Sequence, residues 1–216
     1  MKIISAVTLF AAANAAFIDI FHQLSDVGEE KIPSMEEGAV VARTLVNRES
    51  MMNVNTISQS GADKGYPKSS VEYYVDCDGD GNPYWLIVDI GSPYRHISQG
   101  SRFSVSVRAG DHPQNEKVDD RYPGGVPLSP MGQPRVNLMG ELQEIAHDPE
   151  VWGKLLRCFI ERHPDSKWWL PTNLVLPHRT HWAKIIVHDV YMVGGFGDRA
   201  YIGPIDGETY HKARIL

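Results

Sequence analysis

The 216-residue sequence has only two cysteines, Cys77 and Cys158, and no zinc-type cysteine spacing. It has no block of Lys or Arg, and its 21 basic residues are outnumbered by 27 acidic ones, giving a net charge of −6. That balance lacks the electrostatic footprint of a nucleic-acid or anionic-membrane binder, so neither partner is expected. No apolar run approaches the roughly 20 residues needed to cross a bilayer, so no membrane span is expected. No Asn has Ser or Thr two places on, which removes N-glycosylation. What is present is a globular profile, 42% hydrophobic and 22% charged, with ample apolar surface for one core.

Lys2, the apolar stretch 3–13 and the small-x-small triplet Ala13-Asn14-Ala15 read as a secretory signal peptide, cleaved after Ala15 or Ala16. Residues 1–15 are set aside on that ground and 16–216 are taken as one domain. The product is expected to be secreted, in the extracellular space or the endolysosomal lumen. An oxidising compartment lets Cys77 and Cys158 pair. Sequence does not place them within bonding distance, and two buried free thiols are the default expectation.

Two helices are well marked. Ser34-Met35-Glu36-Glu37 is a capping box ahead of the apolar stripe Val41, Ala42, Leu45 and Val46. Asp148 and Pro149 start a second helix, whose apolar pairs recur every four residues until His163-Pro164 stops it. Alternating or β-branched runs at 52–56, 71–75, 84–90, 103–107, 136–142 and 181–193 read as six strands, with a short last one at 200–202. Their order predicts a mainly β chain, a closed antiparallel barrel with helices packed outside. Residues 109–134, with five prolines and four glycines, form a long loop of the kind that is often functional or mobile.

Several motifs fail on context. Asp76, Asp78, Asp80 and Gly81 mimic a calcium loop, but Ile87 stands where the bidentate Glu belongs, and a hairpin turn explains them. The spacing of 195–200 fits a dinucleotide fingerprint, but Tyr201-Ile202-Gly203-Pro204 reads as strand and then turn, not helix. His178, His181 and His188 suggest metal binding. On one continuous strand, however, His181 and His188 point to opposite faces, and no nearby acidic pair completes a site. No serine-nucleophile elbow is present.

The pieces 37–58, Gly65-Tyr66-Pro67, Pro83-Tyr84-Trp85, Ser92-Pro93, Phe159-Ile160-Glu161-Arg162-His163-Pro164-Asp165, Ala183-Lys184-Ile185 and Gly194-Gly195-Phe196-Gly197 occur in this order and spacing. Together, over 36–210, they resemble the CREG family of secreted proteins, in the pyridoxamine-phosphate-oxidase-like superfamily. The resemblance implies a six-stranded antiparallel split β-barrel of the FMN-binding type, usually a homodimer with FMN at the subunit interface.

In many flavin-binding relatives an arginine after the glycine of the second-strand motif serves the phosphate; here that place is Tyr66. The candidate cofactor-binding residues are Lys68, Ser69 and Ser70 beside it and Ser92 and Arg95 after the third strand, with Ser104 on the fourth. Members resembling this chain are regarded as having lost flavin-dependent catalysis and as acting through a protein partner or receptor. That is the functional expectation, with an FMN-dependent oxidoreductase as the alternative. No catalytic residue or metal ligand is assigned, and FMN is the cofactor the resemblance leaves open. The glycine segment is similar also to haem-utilisation relatives, for which His163 is the candidate ligand; a helix C-terminal histidine facing the last carbonyls is the preferred reading. Trp85, Phe103 and Trp182 carry more aromatic surface than one modest barrel is expected to enclose, which points to an isologous dimer.

Overall fold

A computed structural model describes residues 32–170 and 179–216. The signal-peptide reading and His178 lie outside the described residues. The strands are β1 Met51–Ile57, β2 Pro67–Val75, β3 Tyr84–Val88, β4 Phe103–Arg108, β5 Arg135–Glu144, β6 Thr180–Val193 and β7 Ile202–Asp206. All pairings are antiparallel, in the order β3-β2-β1-β4-β5-β6-β7, and an added β3–β6 pairing closes six of them into a barrel. The seventh, β7, lies on the outer half of β6.

β6 closes the ring because its 14 residues are long enough for three neighbours. Its start, Thr180 to Lys184, pairs with β3, and the rest runs along β5 and β7. A bulge between Met139 and Gly140 of β5 bends that pairing. Gly140 is required there, since a Cβ would stand 1.9 Å from the Ile186 carbonyl oxygen.

The barrel interior takes the inward residues of each strand, Met52 and Val54, Val105 and Val107, Val136 and Leu138, Ile185 and Val187. Helix α1, Met35–Arg48, packs its Ala39, Ala42, Leu45 and Val46 onto the same core. Its capping box is formed in both directions, Ser34 and Glu37 each accepting from the other's backbone N–H. Strand β3 is apolar throughout because both its faces are covered. Trp85 and Ile87 face the main core, while Tyr84 and Leu86 join Leu155 and Phe159 of α3, Pro149–Arg162. Asp148 caps α3 by accepting from Glu150 and Val151.

Two expectations need correction, and one helix adds to those expected. Trp85 and Trp182 are 2% and 0% exposed and Phe103 packs against the core, so aromatic excess gives no argument for a dimer. Gly203-Pro204 is not a turn: β7 runs through it to Asp206, a place open to proline because β7 pairs only with β6. A helix at Ser92–Ser98, α2, follows β3; at seven residues it is too short for an apolar period to show.

The two thiols are not free. Cys77, in the β2–β3 turn, and Cys158, on α3, form a disulfide with Cα atoms 6.0 Å apart. Covering the outer face of β3 with α3 is what carries Cys158 to that turn. The turn joins β2 and β3 as a hairpin, and cations of neighbouring elements engage its carboxylates. Asp76 faces Arg43 of α1 at 3.5 Å, with both side chains buried, while Lys184 bridges Asp78 and Asp80 at 2.5 and 2.8 Å. The last helix, α4 at Gly207–Lys212, is seated on it, with the Tyr210 hydroxyl donating to the Gly81 carbonyl.

Loop 109–134 is anchored rather than loose. The buried Glu49 carboxylate, just after α1, accepts from the Gly110 N–H, the His112 ring at 2.6 Å and the Tyr122 hydroxyl. Burial and the Glu49 charge push the Tyr122 phenol well up, which keeps it a donor. Arg48 holds the carbonyls of Asp119 and Arg121. Against Gly195, where a Cβ would meet the Gly124 and Gly132 carbonyls at 2.9 Å, the loop backbone reaches the β6–β7 connection.

Two outcomes follow from these anchors. Replacing both cysteines (Cys77→Ser with Cys158→Ser) is expected to lower stability by about 2–5 kcal/mol in urea unfolding. The change Glu49→Ala leaves buried donors unmatched. It should cost about 1–3 kcal/mol and speed limited proteolysis within 109–134, with mass mapping of the cuts as the check.

Candidate functional site

The outward residues of β2, β1, β4, β5 and β6 form two cross-strand rows on one sheet face. Val71, Asn53, Ser106, Asn137 and Tyr191 lie opposite one another in sequence of strands, as do Ser69, Asn55, Ser104 and Met139. The polar members bond to each other. Asn55 donates to Ser106 at 2.9 Å and to Ser104 at 3.4 Å, and accepts from Ser69 at 2.9 Å; Asn53 donates to Ser69. The rows floor a depression of about 460 Å³ whose rim carries Arg108, Asp111 and Arg135. Arg108 is paired with Asp111, and Arg135 donates to the Met131 and Gln133 carbonyls. The Asn137 side-chain oxygen is buried there with no protein donor. This face is chemically suited to polar contacts and to a second apolar-rimmed surface, since Val71, Met139 and Tyr191 remain exposed around it.

The predicted phosphate residues do not converge on this face. Residues alternate along a strand, so Lys68 and Ser70 point one way and Ser69 the other. Only Ser69 belongs to the polar rows. Lys68 lies opposite Thr56, whose hydroxyl meets the His96 ring of α2 at 2.9 Å. Lys68 forms an ion pair with Asp63, and its ammonium holds the Asp63 carboxyl below the usual range. Ser70 is opposite the inward Val54. Ser92 and Arg95 ride on α2, both exposed, and Tyr66 is exposed in the β1–β2 connection. A flavin phosphate needs its cations and N–H groups aimed at one point. Within one chain, Ser69 points away from Lys68 and Ser70, and Ser92 and Arg95 ride on a separate helix. The loop 109–134 has its anchors on the end of α1 and at Gly195.

His163 also departs from its expected role. Its backbone N–H closes α3 on Phe159, but the ring leaves the helix's own carbonyls and donates through Nε2 to the Tyr74 carbonyl of β2 at 2.9 Å. The side chain is wholly enclosed, so it is not open to a haem iron.

Sequence spacing missed one cluster. The His181 ring donates through Nδ1 to Asp89 at 2.7 Å, and its Nε2 lies 3.9 Å from Glu144. Glu144 accepts from the Tyr94 hydroxyl, which pushes that phenol up to about 12. The acidic pair found missing near His181 is present, but it comes from the ends of β3 and β5, far off in sequence. Among the described residues no group of His, Cys, Asp and Glu is arranged to hold a metal ion, and no helix is long and apolar enough to cross a membrane.

Comparison places this geometry. A haem-binding protein from Mycobacterium smegmatis superposes with a TM-score of 0.60 at 20% identity, over 85% of this chain and 62% of that one. A protein of unknown function from Agrobacterium tumefaciens gives 0.55 at 18%, over 85% of this chain and 64% of the other. The chain thus spans somewhat less than two thirds of each, and at such identities the likeness is one of fold. No curated protein matches the sequence. The family model "CREG, beta-barrel" matches residues 33–212, from the start of α1 to the end of α4. With its closed six-stranded split barrel, added strand and flanking helices, the chain belongs to the CREG β-barrel family.

Proposed function

We propose that the chain acts as a secreted or luminal homodimer that binds a protein partner or receptor, with flavin catalysis lost. The observation that carries this reading is the dispersal of Lys68, Ser69, Ser70, Ser92 and Arg95. Two sides of β2 and an exposed helix share them, and Asp63 already neutralises the lysine. A disulfide is in keeping with an oxidising compartment and with the leader-like start of the sequence. The Asn and Ser rows with exposed Val71, Met139 and Tyr191 support pairing through the sheet face, each residue meeting its counterpart's neighbours about a two-fold axis.

The competing reading is an FMN-dependent oxidoreductase, in which bound flavin supplies the redox chemistry. One titration separates the two. Purified protein is expected to lack a flavin band and to leave FMN fluorescence unquenched at micromolar protein; submicromolar binding overturns the proposal and favours the oxidoreductase. For the assembly, light scattering at micromolar concentration should give the mass of two chains. Charging the face with Tyr191→Arg is expected to weaken that association at least about tenfold, the worth of one good interface contact. A wild-type monomer sinks the dimer.

A further inference from the structure

His163 is the one histidine of the described chain with no exposed surface. Its ring lies flat on Tyr73, with centroids 4.1 Å apart and planes within 9°, and Phe159 packs on it at 4.7 Å. Nε2 carries the proton, because the Tyr74 carbonyl 2.9 Å away can only accept. Nδ1 is buried and has no partner. The pocket is therefore built for a neutral ring: a second proton would place an N–H and a full charge where nothing accepts them.

Charged groups face the ring from three elements. Arg162 of α3 opposes a positive ring. Asp165, in the 3₁₀ turn Pro164–Trp168, and Glu116, from loop 109–134, favour one. Neither carboxylate is free to serve Nδ1: Asp165 accepts from the Tyr73 hydroxyl, and Glu116 is engaged by Arg162 and Ser50. Burial outweighs their attraction and pulls the His163 ring below the usual histidine range.

We infer that His163 is a proton-sensing pin: neutral, it fastens the end of α3 and the turn after it to β2, and on acidification it lets that segment go. Besides the His163 bond to Tyr74, Trp169 packs on Tyr73 of β2 with ring centroids 6.2 Å apart. The Tyr73–Asp165 bond is exposed, and Ser166 bonds within the segment, to the His163 carbonyl. Further back, Cys158 remains bound to Cys77, so α3 as a whole stays in place and the opening hinges after the disulfide. What opens is the packing of Phe159 and Leu170 against Trp182 of β6.

The sign is fixed by linkage. A depressed folded-state value means that the pin's contribution is full above about 6.5, the unfolded histidine value, and is lost as pH falls through the folded one. The test is hydrogen exchange of the intact, oxidised protein between pH 7.5 and 4.5, corrected for intrinsic rates. Protection of residues 159–170 should fall by roughly tenfold for each pH unit between about 6.5, the open-state histidine value, and the folded-state value, and level off below it, while residues 135–144 of β5 hold theirs. In His163→Gln, which keeps a side-chain N–H for Tyr74 but does not titrate, the acid loss should vanish. Unchanged wild-type protection at pH 4.5, or the same loss in His163→Gln, overturns the inference. If that variant does not fold, NMR titration of the wild-type ring decides. Uptake of the proton at ordinary histidine pH with 159–170 still protected overturns it equally; uptake in step with opening supports it.

Discussion

The architecture depends on one strand having to satisfy three others. β6 contributes an edge to β3, to β5 and to β7, and without its first five residues on β3 the sheet would be an open one with two free edges. That closure works only because Gly140 lets the β5 backbone approach Ile186, so that β6 can swing from one neighbour to the next. The candidate site inherits this bend. The polar rows sit on the wall formed by β2, β1, β4, β5 and β6, and the acidic turn is fixed by Lys184 at the point where β6 leaves β3.

The elements were legible in the sequence wherever local chemistry decided them. The capping box at Ser34, the Asp148-Pro149 start and the alternation of Val105 and Val107 each carry their cause within a few residues. What was not legible was long-range. The disulfide joins positions 81 apart, brought together only because α3 must cover β3. Trp85 and Trp182 looked like surplus aromatic surface because the sequence does not say that β3 is covered on both sides. The short helix at Ser92–Ser98 has too few turns to show a period, and the Asp89, His181 and Glu144 cluster has no local signature at all.

The site residues divide in the same way. Choosing Lys68, Ser69 and Ser70 by nearness to a family position took three successive residues as neighbours in space, whereas a strand sends them to opposite sides. Asn53, Asn55 and Asn137, never candidates, supply the polar face instead, and the signal for them was available: alternate polar residues on strands whose other face is apolar. Gly195 of the glycine segment is a packing device for the loop backbone at Gly124 and Gly132.

The disulfide has a further consequence for the chain as a covalent object. Cys77 precedes the long loop and Cys158 follows it, so the bond encloses the whole of 109–134, where surface cleavage has most opportunity. A cut there does not divide the molecule: the two pieces remain one covalent body, one carrying α1 and the first four strands, the other the last three strands. In a compartment rich in proteases, a nicked chain of this design keeps its parts together and leaves only when it is also reduced.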